Sequence, residues 1–383
     1  MAEARHIVLA AGGTGGHMFP ARALAEELLT RGYALSLVTD SRGGALGGAA
    51  DQVDIHRINA ASPAGRVGDK VASLARLGIG LLQARALLGR LQPAAVAGFG
   101  GYACVPTMWA ATMRRLPTII HEQNAVMGRA NRLLAGRVDR IATSFADVAR
   151  IRPRDAHKVM RTGNPVRADI AALGALPYPA LDPAPGNGAR TLHLLVLGGS
   201  QGARILSEVV PAAIASLPAA AQRRLGVVQQ CRPEDLDAVR AAYRAANVEA
   251  ELATFFDDMA RRLGHCHLVI CRAGASTVAE AAAAGRPAVL VPYPFATDGH
   301  QLANARAADQ AGGAWLIPQE AFTEAAVAAR LESFIDLPAT LADAAARQLG
   351  FARADAAVRL ADAVEALSGS NGNSGNRRYE VAA

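Results

Sequence analysis

Aromatic residues are scarce in this chain, at 4% of 383 positions, and no basic run is interleaved with them. Single-stranded nucleic acids are gripped by such side chains, so nucleic-acid binding is disfavoured. Lysine is nearly absent, occurring only at Lys70 and Lys158, and the net charge of +7 therefore rests on arginine. That charge suits phosphates, nucleotides or an anionic membrane without choosing among them. The four cysteines (Cys104, Cys231, Cys266, Cys271) form no CxxC pair and no disulfide framework, which fits a reducing compartment. His265-Cys266-His267 with Cys271 offers metal-ligand types. Adjacent strand side chains point to opposite faces, however, so no metal site is expected there. No apolar stretch approaches the roughly 18 residues that span a bilayer. Glu3 stands early and a short apolar run leads straight into a glycine turn, which argues against a signal peptide. A cytosolic or peripheral protein is expected.

What the chain does have is apolar mass, 51% hydrophobic against 19% charged, enough for two or three cores. It also has a strand–glycine turn–helix unit that occurs twice. The first runs from Ile7 through Gly12-Gly13-Thr14-Gly15-Gly16-His17 into a helical pattern over Pro20–Leu28. The second runs from Leu192 through Gly198-Gly199-Ser200-Gln201-Gly202-Ala203 into a helix from Arg204. Glycines there let bare N–H groups and a helix N-terminus approach an anion. Further strands are expected at Ala34–Val38, Ala94–Ala97, Thr118–Ile120, Arg140–Ala142, Gly226–Gln230, Leu268–Cys271 and Ala288–Val291. This alternation predicts two doubly wound α/β domains with parallel sheets facing a shared cleft. The Pro- and Gly-rich stretch 173–188 reads as a surface loop near the junction. A helical pattern over Asp355–Leu367 is placed against the first domain, and a disordered tail is expected from Ser368.

Three clusters carry chemistry. In the first turn Met18 stands where a dinucleotide fingerprint has its third glycine, although Asp40 lies where a ribose-binding acid would. His17 at the mouth of that turn fits either a general base for a hydroxyl or a helix-capping, phosphate-contacting imidazole. A third glycine turn, Cys271-Arg272-Ala273-Gly274-Ala275-Ser276-Thr277, suits a diphosphate, with Glu280 one turn further on placed for ribose hydroxyls. His121-Glu122-Gln123-Asn124 leaves the C-terminal end of a strand, where ligands of open sheets sit. Arg167, in Thr162-Gly163-Asn164-Pro165-Val166-Arg167, falls at the end of the first half.

These segments, with Gly98-Phe99-Gly100-Gly101-Tyr102, occur in an order that resembles the MurG family. Its members are bacterial transferases that add N-acetylglucosamine to lipid I to make lipid II for peptidoglycan. The resemblance spans residues 6 to 365 and implies the GT-B fold: an acceptor- and membrane-facing domain over 1–165, joined by the helix at about 355–367, and a UDP-sugar domain over 166–354. It implies inversion at the anomeric carbon, lipid I and UDP-N-acetylglucosamine as substrates, and peripheral work at the cytoplasmic face of the inner membrane beside other cell-wall synthesis proteins. By position it implies that Thr14, Gly15 and Gly16 line the cleft, with Asn124 near the donor sugar and Arg167 and Ser200 among the binding residues. Phe256 would hold uracil through backbone atoms. Ala275, Ser276, Thr277, Val278, Ala279 and Glu280 would form the diphosphate and ribose segment, with Gln301 a sugar contact. The sequence departs from the family pattern at Cys104, Val105, Ala273, Ser276 and His300.

In a direct displacement His17 is the first candidate base and Glu122 the second. No acidic DxD signature stands out, so no cofactor is called for and a divalent cation is not indicated. The alternatives are another GT-B lipid or natural-product glycosyltransferase, or a UDP-sugar epimerase. A dehydrogenase-like protein would use Asp40 and the first turn and leave the other turns without a role. Arg66, Lys70, Arg76, Arg85 and Arg90 alternate with leucines. There Val71, Leu74, Gly78, Leu81, Arg85 and Leu88 follow a core-facing helical stripe, while Leu77 and Ile79 leave it, as a membrane-contacting patch requires.

Overall fold

A computed structural model describes residues 5–12, 15–41, 52–60, 67–183, 190–199 and 202–369. Seven strands form the first sheet: β1 (His6–Ala10), β2 (Ala34–Thr39), β3 (Val53–Arg57), β4 (Ala95–Gly98), β5 (Thr118–Glu122), β6 (Arg140–Thr143) and β7 (Val159–Arg161). All pairings are parallel, in the order β3-β2-β1-β4-β5-β6-β7. The second sheet contains β8 (Asp182–Pro183), β9 (Arg190–Leu197), β10 (Leu225–Gln230), β11 (Ala250–Ala253), β12 (Leu268–Cys271), β13 (Ala288–Leu290) and β14 (Ala314–Leu316). Its parallel order is β11-β10-β9-β12-β13-β14, and β8 adds an antiparallel pairing to β9.

The period-2 geometry of a strand, with both faces covered, explains why β1 is apolar from Ile7 onward and β9 from Leu194 onward. Ile7 and Leu9 enter one core, with Leu24 and Leu28 of helix Gly15–Thr30, while Val8 and Ala10 enter another, with Leu87 and Leu88 of helix Val67–Leu91. Leu194 and Val196 likewise face helix Arg204–Ser216, and Leu195 and Leu197 face helix Ala275–Ala283. Strand order reverses beside β1 and again beside β9, so each sheet opens a crevice at its C-terminal strand ends. All the glycine turns read from the sequence lie at those ends. The last helix, Ala356–Gly369, inserts Leu360, Ala361 and Val364 into the core that holds Ile7.

Two expectations are corrected. Ser368 and Gly369 belong to that helix, with Ser368 buried and its hydroxyl donating to the Glu365 carbonyl, so the tail cannot start at 368; residues 370–383 lie outside the described ones. On helix Val67–Leu91 the buried face carries Ser73, Gly80, Ala84, Leu87 and Leu88, while Gly78 and Arg85 are exposed. That stripe is rotated from the expected one because Gly80 packs against the Asn59 carbonyl, a close approach that only a residue without a side chain permits. Ile79 and Leu82 emerge as the exposed apolar residues and Leu77 is half-buried. Arg66 and the side chains of Lys70, Val71 and Leu74 lie outside the described ones.

Candidate functional site

His17 sits in the first turn of helix Gly15–Thr30, with its ring laid against Gly100 and Gly101. Both glycines have left-handed φ, +86° and +73°, and a Cβ on either would stand 3.2 Å from the imidazole. Glycine is therefore needed there for conformation and for space. His17 Nδ1 lies 3.2 Å from Oε1 of Gln123. Burial lowers the His17 pKa below its usual value, opposed by the nearby Glu122 charge, so the imidazole is neutral at pH 7.

Strand β5 ends in His121 and Glu122 and runs on into Gln123 and Asn124, so alternate residues part company. His121 and Gln123, both buried, lie on the His17 side. Glu122 accepts from Asn124 N (3.0 Å) and Nδ2 (3.3 Å) on Oε1, and from Gly128 N (2.8 Å) and Asn131 Nδ2 (2.8 Å) on Oε2. A carboxylate 1% exposed with both oxygens engaged orders its loop. Through that loop it fixes Asn124, whose Oδ1 also accepts from Asn304 Nδ2 across the cleft at 3.0 Å. Asn304, fully buried, accepts from Ala125 N (2.8 Å) and donates to the Ala273 carbonyl (3.1 Å), pinning the two halves together. A second pin is Asp298, reached by Arg132 and Arg150 at 2.8 Å and by Arg129 at 3.6 Å.

On the other wall, helix Ala275–Ala283 begins after Gly274, and Val278 N is the donor that closes its first turn, on the Gly274 carbonyl. The N–H groups of Ala275, Ser276 and Thr277 precede that turn and so lack an intrahelical acceptor. Val278, within the same segment, has its N–H engaged on the Gly274 carbonyl and its side chain in the core. Ser276 Oγ and Arg167 Nε are buried polar atoms without a hydrogen-bond partner among the described residues, which makes them available to a ligand on this wall. Arg167 NH2 lies 3.4 Å from Glu280 Oε1, and its guanidinium is 5.9 Å from the Phe19 ring of the first half. Burial raises the Glu280 pKa, and the Arg167 charge opposes the shift. Gly15 and Ala279 are partly accessible and Gly16 is exposed.

Phe256 and Gln301 are held by other neighbours. Phe256 is buried under the Arg262 guanidinium at 3.9 Å, leaving backbone as what it can offer a base, and Gln301 Oε1 accepts from Tyr293 N at 2.8 Å. Thr14 and Ser200 lie outside the described residues. Asp40 is 2% exposed, closed to a ribose. Reading the sequence did not single out Gln123, Asn304 or Asp298. Strand alternation from His121 would have flagged Gln123, whereas Asn304 and Asp298 gain their roles only from the approach of the other domain.

The chain matches the glycosyltransferase family 28 N-terminal domain over residues 7–143 and the family's C-terminal domain over 193–360. It is 56% identical over 362 residues to a protein of Paramagnetospirillum magneticum, covering 94% of this chain and 96% of that one. With a protein of Rhodospirillum centenum it shares 55% identity over 369 residues, covering 96% of each. Both carry the name UDP-N-acetylglucosamine–N-acetylmuramyl-(pentapeptide) pyrophosphoryl-undecaprenol N-acetylglucosamine transferase. The crystal structure of Acinetobacter baumannii MurG superimposes with a TM-score of 0.74 at 29% identity, over 94% of this chain and 99% of that one.

Proposed function

We infer that this chain, which belongs to glycosyltransferase family 28, transfers N-acetylglucosamine from its UDP conjugate to undecaprenyl-pyrophosphoryl-MurNAc-pentapeptide. The acceptor is the MurNAc 4-hydroxyl, the anomeric centre inverts, and lipid I becomes lipid II. The observation that carries this reading is Arg167, which ties the helix bearing His17 to the helix bearing Glu280 through Phe19 and the Glu280 carboxylate. A base and a diphosphate-ready helix end thereby face one cleft from opposite sheets.

In the reaction the acceptor hydroxyl attacks the anomeric carbon from the side opposite UDP. His17 takes the hydroxyl proton. The departing diphosphate meets the free N–H groups of Ala275, Ser276 and Thr277, the Ser276 and Thr277 hydroxyls, and Arg167, while Glu280 accepts from the ribose hydroxyls. Such preorganised donors stabilise charge where it develops. Because these groups answer the diphosphate charge, turnover is proposed to proceed without a divalent cation, and a chelator is expected to leave it little changed.

Peripheral membrane association is proposed for the face built by helices Val67–Leu91 and Val105–Met113, which pack on each other. Ile79 (51%), Leu82 (68%) and Met113 (51%) stand exposed among the exposed Arg76, Arg85, Arg90, Arg114 and Arg115. Among the described residues no helix is long and apolar enough to cross a membrane. Incubation with UDP-N-acetylglucosamine and a lipid I analogue tests the reaction. Growth of the analogue by one N-acetylglucosamine is expected. Conversion of the donor sugar without transfer would indicate an epimerase, and retention of NAD rather than UDP a dehydrogenase-like protein.

A further inference from the structure

His17, Gln123 and His121 form a chain of side-chain contacts that ends on backbone carbonyls. His121 Nε2 is 2.9 Å from the carbonyl of Gly163. A carbonyl oxygen only accepts, so His121 carries its proton on Nε2. Burial drives the His121 pKa down to about 4, so the ring is neutral and its Nδ1 is an acceptor. Gln123 Nε2 lies 3.1 Å from that Nδ1, 3.0 Å from the Phe99 carbonyl and 3.1 Å from the His121 carbonyl. The opposite amide orientation would set Oε1 against two carbonyl oxygens and a lone pair, so the orientation is fixed by three acceptors. Gln123 therefore shows only its oxygen to His17 Nδ1.

We propose that Gln123, oriented by the Phe99 and His121 carbonyls and by His121 Nδ1, is a positioning residue that holds His17 as the tautomer with its proton on Nδ1 and its lone pair on Nε2. A general base must present an unprotonated nitrogen to the hydroxyl, and the hydrogen bond at one ring nitrogen decides which atom the other becomes. The proposal deepens the transferase reading, since it rests on His17 being the base. Gln123 is 1% exposed and acts through His17. The chain also explains why a glutamine is needed: an acid there would face the Phe99 and His121 carbonyls without a donor, and an apolar residue would remove the Oε1 acceptor from Nδ1.

The test combines nitrogen-15 NMR of histidine-labelled enzyme with kinetics of Gln123→Leu. In the wild type His17 is expected to show a protonated Nδ1 and a bare Nε2, and His121 the reverse. In Gln123→Leu the single His17 tautomer is lost. There kcat falls roughly ten- to a hundred-fold, part of the ~100- to 10,000-fold a general base supplies, while UDP affinity and the donor KM stay near wild type. A His17 protonated on Nε2 in the wild type would overturn the proposal whatever the kinetics. So would a Gln123→Leu enzyme with kcat near wild type. His17→Ala serves as the control: if it keeps full activity, the base assignment fails, while the tautomer read directly by NMR still stands or falls by itself.

Discussion

Replacing Glu122 by glutamine separates a base from a loop anchor. Whichever way the new amide turns, its NH2 opposes two donors: Asn124 N and Nδ2 on one side, or Gly128 N and Asn131 Nδ2 on the other. Hydrogen bonds to a charged acceptor contribute about 1.5–3 kcal/mol each, so losing two would cost about 3–6 kcal/mol. The amide will sacrifice the Oε1 pair, whose 3.3 Å member is long and whose donor Asn124 is partly accessible, so water replaces much of what is lost. That lowers the expected cost to about 2–3 kcal/mol, still well above a surface substitution. For a unit of this size each kcal/mol moves the unfolding midpoint by ~2–4 °C, so a fall of ~4–12 °C is expected by calorimetry. With Asn124 released, the donor KM should rise while His17 retains its base function. A Glu122→Gln enzyme with wild-type unfolding and a collapsed kcat would refute the reasoning and make Glu122 the base.

His17→Ala is expected to lower turnover by about 100- to 10,000-fold while UDP affinity survives, checked by single-turnover kinetics and calorimetric titration. Glu280→Ala should raise the donor KM about ten- to a hundred-fold through loss of a charged hydrogen bond, and equal losses for UDP and a ribose-lacking analogue would disprove the ribose contact. Leu82→Glu and Ile79→Glu should each weaken sedimentation with anionic vesicles without changing UDP binding, and undiminished sedimentation of both would move the membrane contact elsewhere. His121, with a pKa of about 4 when folded against 6.5 when free, binds its proton more readily unfolded. Its stabilising contribution is therefore complete above pH 6.5 and is lost as pH falls towards 4. This amounts to about 3 kcal/mol, and urea titrations of wild type and His121→Gln across that range should diverge accordingly.

The architecture was legible because buried parallel strands are continuous apolar runs: β1, β9 and β12 declare themselves by composition. The strands not expected, β3, β7, β8, β11 and β14, are short or lie at sheet edges, and β3, β7, β11 and β14 are each only partly buried, so they lack the long apolar run that marks a central strand. Of the site, His17, Arg167 and the Gly274–Glu280 segment could be located because glycine turns and helix starts leave local marks. Glu122 was readable as a polar residue at a strand end, but its task depends on Asn131 and Gly128, which only the fold brings to it. The stripe on helix Val67–Leu91 shows the same limit: periodicity gives a face, and the neighbour at Asn59 sets its angle.

The insertion of helix Ala356–Gly369 into the core around Ile7 has a consequence for biosynthesis. The amino-terminal half emerges first from the ribosome, yet Leu24 and Leu28 share a core with Leu360 and Val364, which are made only after the whole second sheet. The later half, whose main cores close by Leu341, can be complete before the earlier one. The usual order, in which the leading domain folds while the trailing one is still being synthesised, is inverted. The nascent chain carries an unfinished apolar surface until Leu360 and Val364 are made, a window in which chaperones have something to hold. Arg31, bonded to Asp362 and Glu365, then acts as the clasp that marks the end of assembly.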